Sequence, residues 1–322
     1  MEIGWIEVLK KAYGETEYTQ LAQSILAQRH PVDRINVGID DFRKVQYPKV
    51  LSRLCRVRGQ KDLWVRNFDA ILTMPYDQTE GRNLAIIFHI DHSFQPLLIQ
   101  LVMGILEKIF YRHLRQADAI VTISKYWQDH FVSRGYTNVH LIYNAFDVDS
   151  FRFDEEEIHE FKRKFHLDQK PIVYLGNCQR AKGVVEAYEQ LKHLDLHLVT
   201  SGRREVNLPA MNLSLDYRNY LLLLKSASVV LTMSRFKEGW NRTAHEAMLC
   251  ETPVVGSGLG GMRELLEGGE QLVCEDFRHL REKVEEALRH PEAGQKGYAF
   301  AAQFGIDRFR ESWLKLMDEL SP

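Results

Sequence analysis

Four short runs in the second half of the chain, at residues 171–175, 196–200, 228–232 and 253–256, are almost continuously apolar and do not alternate with polar residues. A strand with one face in water alternates, so strands of this kind are buried on both faces. That requires a parallel sheet covered by helices. Gly, Ser or Asn closely follows each run, and most lead into a helical pattern. The first half repeats the habit less cleanly. Residues 2–8, 34–39, 68–74, 84–88 and 119–123 are strand candidates, rich in Ile, Val and Phe. A helix is expected over 16–28, where Leu21, Ile25 and Leu26 share a face, and another from an N-cap at Ser124 to about residue 134. The fold class expected is therefore α/β, with two doubly wound Rossmann-like domains in series. In such sheets ligands bind outside the carboxyl ends of the strands.

A length of 322 residues fits two domains, at roughly 150 residues each. The boundary is expected within 144–151, where the apolar pattern breaks, giving domains 1–148 and 149–304. A last helix at about 305–322 is expected to pack back on the first. Residues 154–168 read as a helix with acids at its start and bases near its end, a structural arrangement that complements the helix dipole. A net charge of −2 excludes a nucleic-acid partner recognised by bulk charge. Four scattered cysteines without a C-x-x-C pair give neither a zinc ribbon nor a disulfide framework, and point to a reducing cytoplasm. Residues 1–7 carry acid and lack the basic start of a signal peptide. The longest apolar stretch, 96–110, is interrupted by Gln100, Glu107 and Lys108. It is short of the ~20 residues of a membrane span and reads as a buried helix.

The chemistry concentrates in 235–264, "RFKEGWNRTAHEAMLCETPVVGSGLGGMRE". Glu238 is expected in a loop after the 228–232 strand, and 241–249 in a helix that carries Glu246. The open N-terminus of that helix, near 240–243, is an anion site through its free N–H groups. Carboxylates flanking it are good acceptors for vicinal sugar hydroxyls. No G-x-G-x-x-G lies near residues 1–30, which counts against a Rossmann dehydrogenase or a nucleotide-sugar epimerase.

This segment resembles glycosyltransferase family 4, retaining enzymes of GT-B fold in which two Rossmann-like domains face each other across a cleft. The matching residues are Glu238, Glu246, Ala247, Met248, Pro253, Val254, Val255, Gly260, Gly261 and Glu264, with Glu251 where the family often has Gly. The resemblance implies that Glu246 binds the donor ribose, Glu238 contacts the transferred sugar, and the backbone at Arg242 and Thr243 holds the diphosphate. Residues 173–191 resemble the family's strand, Gly176 and Lys-Gly helix start. Lys182 matches its diphosphate lysine, and Arg180 stands in for an arginine that Asn177 replaces. Residues 85–94 resemble the strand that delivers a histidine to the cleft, with His89 the better match and His92 second. Gly14 matches the N-terminal glycine-rich loop, where Glu15 replaces a second glycine. In the 142–151 linker, Tyr143 and Ala145 replace Pro and Gly.

The function implied is retaining transfer of a sugar from a nucleotide-sugar donor to a sugar, lipid or glycan acceptor, with no cofactor and no metal. The alternative is a non-catalytic nucleotide-sugar-binding relative. Residues 43–66 carry eight bases and one acid, interleaved with Val50, Leu51, Leu54, Val57, Leu63 and Trp64. Such a basic amphipathic stretch fits an anionic membrane surface, peripheral on the inner face, and equally an anionic soluble acceptor or a solvated helix packed on the core.

Overall fold

The computed structural model describes residues 1–8, 14–38 and 46–321. The chain divides into two compact units. One is Met1–Ala145 with Ile306–Pro322 and the other is Phe146–Gly305, against an expected boundary after residue 148.

The first unit runs β1 (Ile3–Glu7), α1 (Gly14–Leu26), β2 (Val32–Asn36), α2 (Tyr47–Leu54), β3 (Arg58–Arg66), α3 (Phe68–Thr73), β4 (Gln78–Ile87), α4 (Leu97–Leu114), β5 (Ala119–Thr122), α5 (Lys125–Val132) and β6 (Val139–Leu141). The second runs α6 (Glu155–Lys164), β7 (Ile172–Asn177), α7 (Val184–Leu191), β8 (His197–Ser201), β9 (Met211–Leu213), α8 (Tyr217–Ser226), β10 (Val229–Thr232), α9 (Arg242–Leu249), β11 (Val254–Gly256), α10 (Met262–Gly268), β12 (Leu272–Val273), α11 (Leu280–Arg289) and α12 (Ala293–Ala301). The closing helix α13 (Ile306–Glu319) returns to the first unit. There Trp313 lies 6.2 Å from the Trp5 ring, and Phe309 meets Tyr18 edge-on at 5.0 Å.

Both sheets are parallel and six-stranded among the described residues, in the orders β2-β1-β3-β4-β5-β6 and β12-β11-β10-β7-β8-β9. The continuous apolar runs of the second unit form its central strands. Val173, Leu175, Val229, Leu231 and Val255 are fully buried under α7 and α11. Each order reverses direction once, between β1 and β3 in the first sheet and between β7 and β10 in the second. A crevice opens at such a switch point.

Three readings of the first unit are corrected. Residues 68–74, expected as a strand, form α3 and the 3₁₀ turn that follows. The Asn67 side chain caps α3 by accepting from Ala70 N at 3.0 Å, and a short apolar run does not by itself distinguish strand from helix. Residues 96–110 do form a helix, α4, but a buried one is not what results. Leu97, Leu98, Leu101, Val102, Ile105 and Ile109 are exposed, because the core takes only the opposite side, with Phe110, His113 and Leu114.

The third correction concerns the basic amphipathic stretch. Residues 58–66 are an interior parallel strand, and α2 packs Val50 and Leu54 into the core with Val57 and Trp64. The apolar residues that would face a bilayer therefore point inward. Arg53 donates to Gly38 O at 2.6 Å, Lys61 pairs with Glu2 and Asp33, and Arg66 is buried against Asp77 at 2.6 Å. Arg43 and Lys44 lie outside the described residues.

Candidate functional site

In the second unit, β7 and β10 are neighbours at the switch point, and the loops leaving their carboxyl ends carry the candidate groups. After β7 the chain turns through a short 3₁₀ segment, Arg180–Lys182, into α7. Gly183 makes that turn with φ +69°, and a Cβ there would come 2.3 Å from Met233 O. Only glycine lets α7 start this close to the end of β10. The turn brings Lys182 Nζ to 2.6 Å from Glu238 Oε1 and over the Phe236 ring at 4.9 Å.

Glu238 is buried and held from several sides. Ser234 Oγ donates to Oε1 at 2.5 Å and Asn241 Nδ2 at 3.3 Å. Its backbone is clamped to the 259–261 loop, donating to Leu259 O at 3.2 Å and accepting from Gly261 N at 2.9 Å. Gly260 lies between them at φ +69°, where a Cβ would stand 2.4 Å from Glu238 O. Gly260 of the motif therefore serves the approach of two backbones. Asn241 has a second task. Its Oδ1 caps α9 by accepting from Ala244 N at 2.9 Å, so one side chain fixes both the helix start and the carboxylate before it.

Glu246 lies on α9, buried. Tyr217 OH and an Arg242 guanidinium nitrogen reach Oε1 at 3.2 and 3.3 Å, and Tyr220 OH reaches Oε2 at 3.2 Å. Burial raises its pKa above the ordinary carboxylate value, against the lowering by Arg242 and the two phenols. Burial, and then the Glu246 charge, raises both tyrosines in turn. The Tyr220 proton is committed to Glu246, so Thr243 Oγ1 donates to the Tyr220 oxygen at 3.2 Å, and the Arg242 guanidinium stacks on Phe146 at 4.5 Å.

Behind the helix, Trp240 Nε1 donates to His245 Nδ1 at 2.8 Å, and His245 Nε2 faces Ala301 O at 3.1 Å. These partners assign the Nε2–H tautomer. Burial drives the His245 pKa down to about 3, so the ring is a neutral spacer.

The second unit thus brings Lys182 to Glu238, and Arg242 and Thr243 into the network of Glu246. Gly176 is the last residue but one of β7, and a Cβ there would stand 4.0 Å from Lys182 Cβ. Arg180 is exposed, with its residue at the start of the 3₁₀ segment. Asn177 is drawn sideways, accepting from Tyr174 OH at 3.3 Å and Ser201 Oγ at 3.2 Å. Glu251, where the resemblance expects glycine, adopts φ +58° and pairs with Lys225 at 2.8 Å. In the first unit, Gly14 opens α1 rather than lying in a loop before it. His89 follows the end of β4, half-buried, and His92 has its pKa lowered by burial and by His89. A cavity of about 290 Å³ lies at this sheet's switch point, lined by Glu7, Thr16, Thr19, Asn36, Asn67 and Phe88. Among the described residues no cluster of three His, Cys, Asp or Glu could hold a metal.

Sequence reasoning missed Ser234, Asn241, Tyr217 and Tyr220. Asn241 carried a local signal, as an N-cap residue before a helical pattern. The tyrosines sit on α8, far along the chain from Glu246, and only the sheet order brings them near.

The model of the family described as Glycosyl transferases group 1 matches residues 169–290. The chain is 25% identical over 170 residues to the capsular polysaccharide biosynthesis glycosyltransferase CapM of Staphylococcus aureus, covering 45% of this chain and 43% of that protein. It is 30% identical over 102 residues to the trehalose synthase of Pyrococcus horikoshii, covering 30% of this chain and 24% of that one. The chain therefore spans less than half the length of these relatives. Among solved structures, sucrose-phosphate synthase from Thermosynechococcus elongatus matches with a TM-score of 0.81 at 17% identity, over 99% of this chain and 98% of that chain. Anabaena HepE in complex with UDP-glucose matches with a TM-score of 0.75 at 15% identity, over 99% and 100%. The chain has the GT-B fold, and residues 169–290 form a domain of the Glycosyl transferases group 1 type.

Proposed function

We propose that this protein is a retaining glycosyltransferase of family 4 type that moves a sugar from a nucleoside-diphosphate sugar to a hydroxyl of a lipid or cell-envelope glycan. The observation that carries the reading is the pairing of Lys182 with the buried Glu238 at the β7–β10 switch point, beside the start of α9 and Glu246. This arrangement offers a cation and helix N–H groups to a diphosphate and a separate carboxylate to each side of it. Glu246 accepts from the ribose hydroxyls, which replace its tyrosine donors. Glu238 accepts from the transferred sugar. The bond from the anomeric carbon to the diphosphate oxygen breaks as the acceptor oxygen bonds to the same face, and the acceptor proton goes to the departing phosphate oxygen. Lys182, joined by Arg180 once the diphosphate is bound, stabilises the leaving charge, so electrostatic preorganisation is the main catalytic contribution. The cavity at the switch point of the first unit receives the acceptor, and His89 is assigned to the sugar on the strength of the resemblance alone.

The complexes of HepE with UDP-glucose support a uridine donor, and CapM's capsular polysaccharide role supports a glycan acceptor. Four free cysteines support a cytoplasmic site of action. The tethering of Asn177 to Tyr174 and Ser201 favours a second reading, a binding protein without turnover, because the expected second cation is missing at that position. A thermal-shift panel of UDP-, GDP- and ADP-sugars, followed by a transfer and donor-hydrolysis assay with the donor that stabilises, separates the two. Stabilisation without turnover would leave the binding protein. The absence of any stabilising nucleotide sugar would overturn both.

A further inference from the structure

Among the described residues of the first unit, six exposed large apolar side chains lie on one side of α4. Its inner side packs Phe110, His113 and Leu114 against Ile71, Leu72 and Trp127, with His113 Nδ1 3.0 Å from Leu72 O. Its outer side carries Leu97, Leu98, Leu101, Val102, Ile105 and Ile109, between 37 and 74% exposed. At about 100° per residue these six fall in one sector roughly 140° wide. Lys108, Arg112 and Arg115, all exposed, continue the same sector at the C-terminal end. Glu107, the acid within this helix, lies on the other side and hydrogen-bonds Tyr111. Tyr76, 65% exposed, places its ring 5.8 Å from His113 beside the basic end.

We propose that α4 lies in the plane of an anionic lipid surface, with the 97–109 stripe in the acyl boundary and Lys108, Arg112 and Arg115 on the headgroups. An apolar stripe this long is rare on a protein that keeps it in water. No helix among the described residues is long and apolar enough to cross a membrane, so the stripe meets the surface in plane. Charge decides between a bilayer and a second copy of the chain. Two antiparallel copies of α4 would set the basic end of each against the apolar end of the other. Two parallel copies would set like charges together. A bilayer with anionic headgroups accepts both halves at once, and an aromatic ring beside them suits the interface. The proposal does not rest on glycosyl transfer. It also assigns the membrane contact to a different segment from 43–66, whose apolar residues are in the core.

The test is co-sedimentation of the full chain with phosphatidylcholine vesicles, with and without one third phosphatidylglycerol, at low and high salt. The native protein should bind the anionic vesicles at low salt and release at high salt. Leu98→Gln with Leu101→Gln and Ile105→Gln should lower partitioning by more than about tenfold. Lys108→Gln with Arg112→Gln and Arg115→Gln should abolish the preference for anionic lipid. Lys49→Gln with Arg56→Gln and Arg58→Gln should change neither. All these side chains are exposed, and unchanged circular dichroism and melting temperature would exclude misfolding. The proposal is overturned if the native protein ignores anionic vesicles or if the α4 triples bind like it. It is equally overturned if light scattering finds a dimer that the leucine–isoleucine triple converts to monomer.

Discussion

Glu246 is a buried carboxylate whose cost is met by a guanidinium and two phenols, and in the proposed reading the ribose hydroxyls take the place of the phenols. Glu246→Ala should therefore act on donor binding, by about 1.5–3 kcal/mol or some 10- to 150-fold in KM, with Glu246→Gln keeping the packing. Glu238→Ala should act mainly on kcat, and Lys182→Ala should lower kcat more than Lys182→Arg does, since the charge on the leaving group is what is lost. Because Lys182 and Glu238 are in contact, the double variant should fall short of the sum of the two singles. Steady-state kinetics with the donor identified by thermal shift checks all of these, and wild-type constants in every variant would remove the site assignment. His245 makes a separate prediction through pH. Its folded pKa is about 3 against an ordinary 6.5. The unfolded chain therefore takes up the proton first, and this stability is full above pH 6.5 and lost as the pH falls toward 3. The slope is about 1.4 kcal/mol per pH unit. Urea midpoints between pH 6.5 and 4 should fall more steeply for the native protein than for His245→Phe, and equal slopes would show that the ring does not contribute.

At the scale of elements, β3 carries the sharpest divergence between pattern and structure. Its bases suggest a surface, yet Leu63, Trp64, Val65 and Arg66 are all buried. Arg66 is accommodated because Asp77 takes NH1 at 2.6 Å, Asn83 Oδ1 takes Nε at 2.7 Å and Thr79 Oγ1 takes NH2 at 2.5 Å. Burial lowers the Arg66 pKa, and Asp77 opposes this. Asp77→Asn removes the counter-charge and should cost about 3–5 kcal/mol in urea unfolding, whereas Arg66→Leu with Asp77→Leu should come within about 1 kcal/mol of the native protein. A double variant as unstable as the single would mean that the pair supplies net stability. The four central strands of the second unit, β7, β8, β10 and β11, were legible because they are nearly continuous apolar runs, whereas the two- and three-residue edge strands β12 and β9 carry too short a pattern. β3 was not, since lysine and arginine occupy its first half, and the pairing with β1 and β4 that makes it a strand is a non-local event.

On the scale of the molecule, the second unit is continuous in sequence and the first is closed by α13 from the far end of the chain. Trp313 and Met317 of α13 are fully buried, and Trp313 meets Trp5 and Tyr18. A fragment of residues 146–305 should unfold cooperatively and be stabilised by the nucleotide alone, since its sheet and the contacts of Lys182, Glu238 and Glu246 lie within it. A chain ended at 305 should lose the cooperative melting of the first unit. Differential scanning calorimetry of the two truncations checks this. A 146–305 fragment without a transition, or an undiminished two-unit thermogram from the shortened chain, would count against the division.

The parallel α/β architecture and the spacing of Glu238 and Glu246 could be read from consecutive residues, which carry burial on both faces and a strand–loop–helix motif. The sequence also pointed to a return of the last helix toward the first half. Tertiary structure alone decided that Lys182 pairs with Glu238, that Tyr217 and Tyr220 hold Glu246, that 58–66 is an interior strand, and that the apolar face of α4 is left in the open. Periodicity reports that a side is apolar, whereas what covers that side depends on chain segments brought together from a distance by the sheet order.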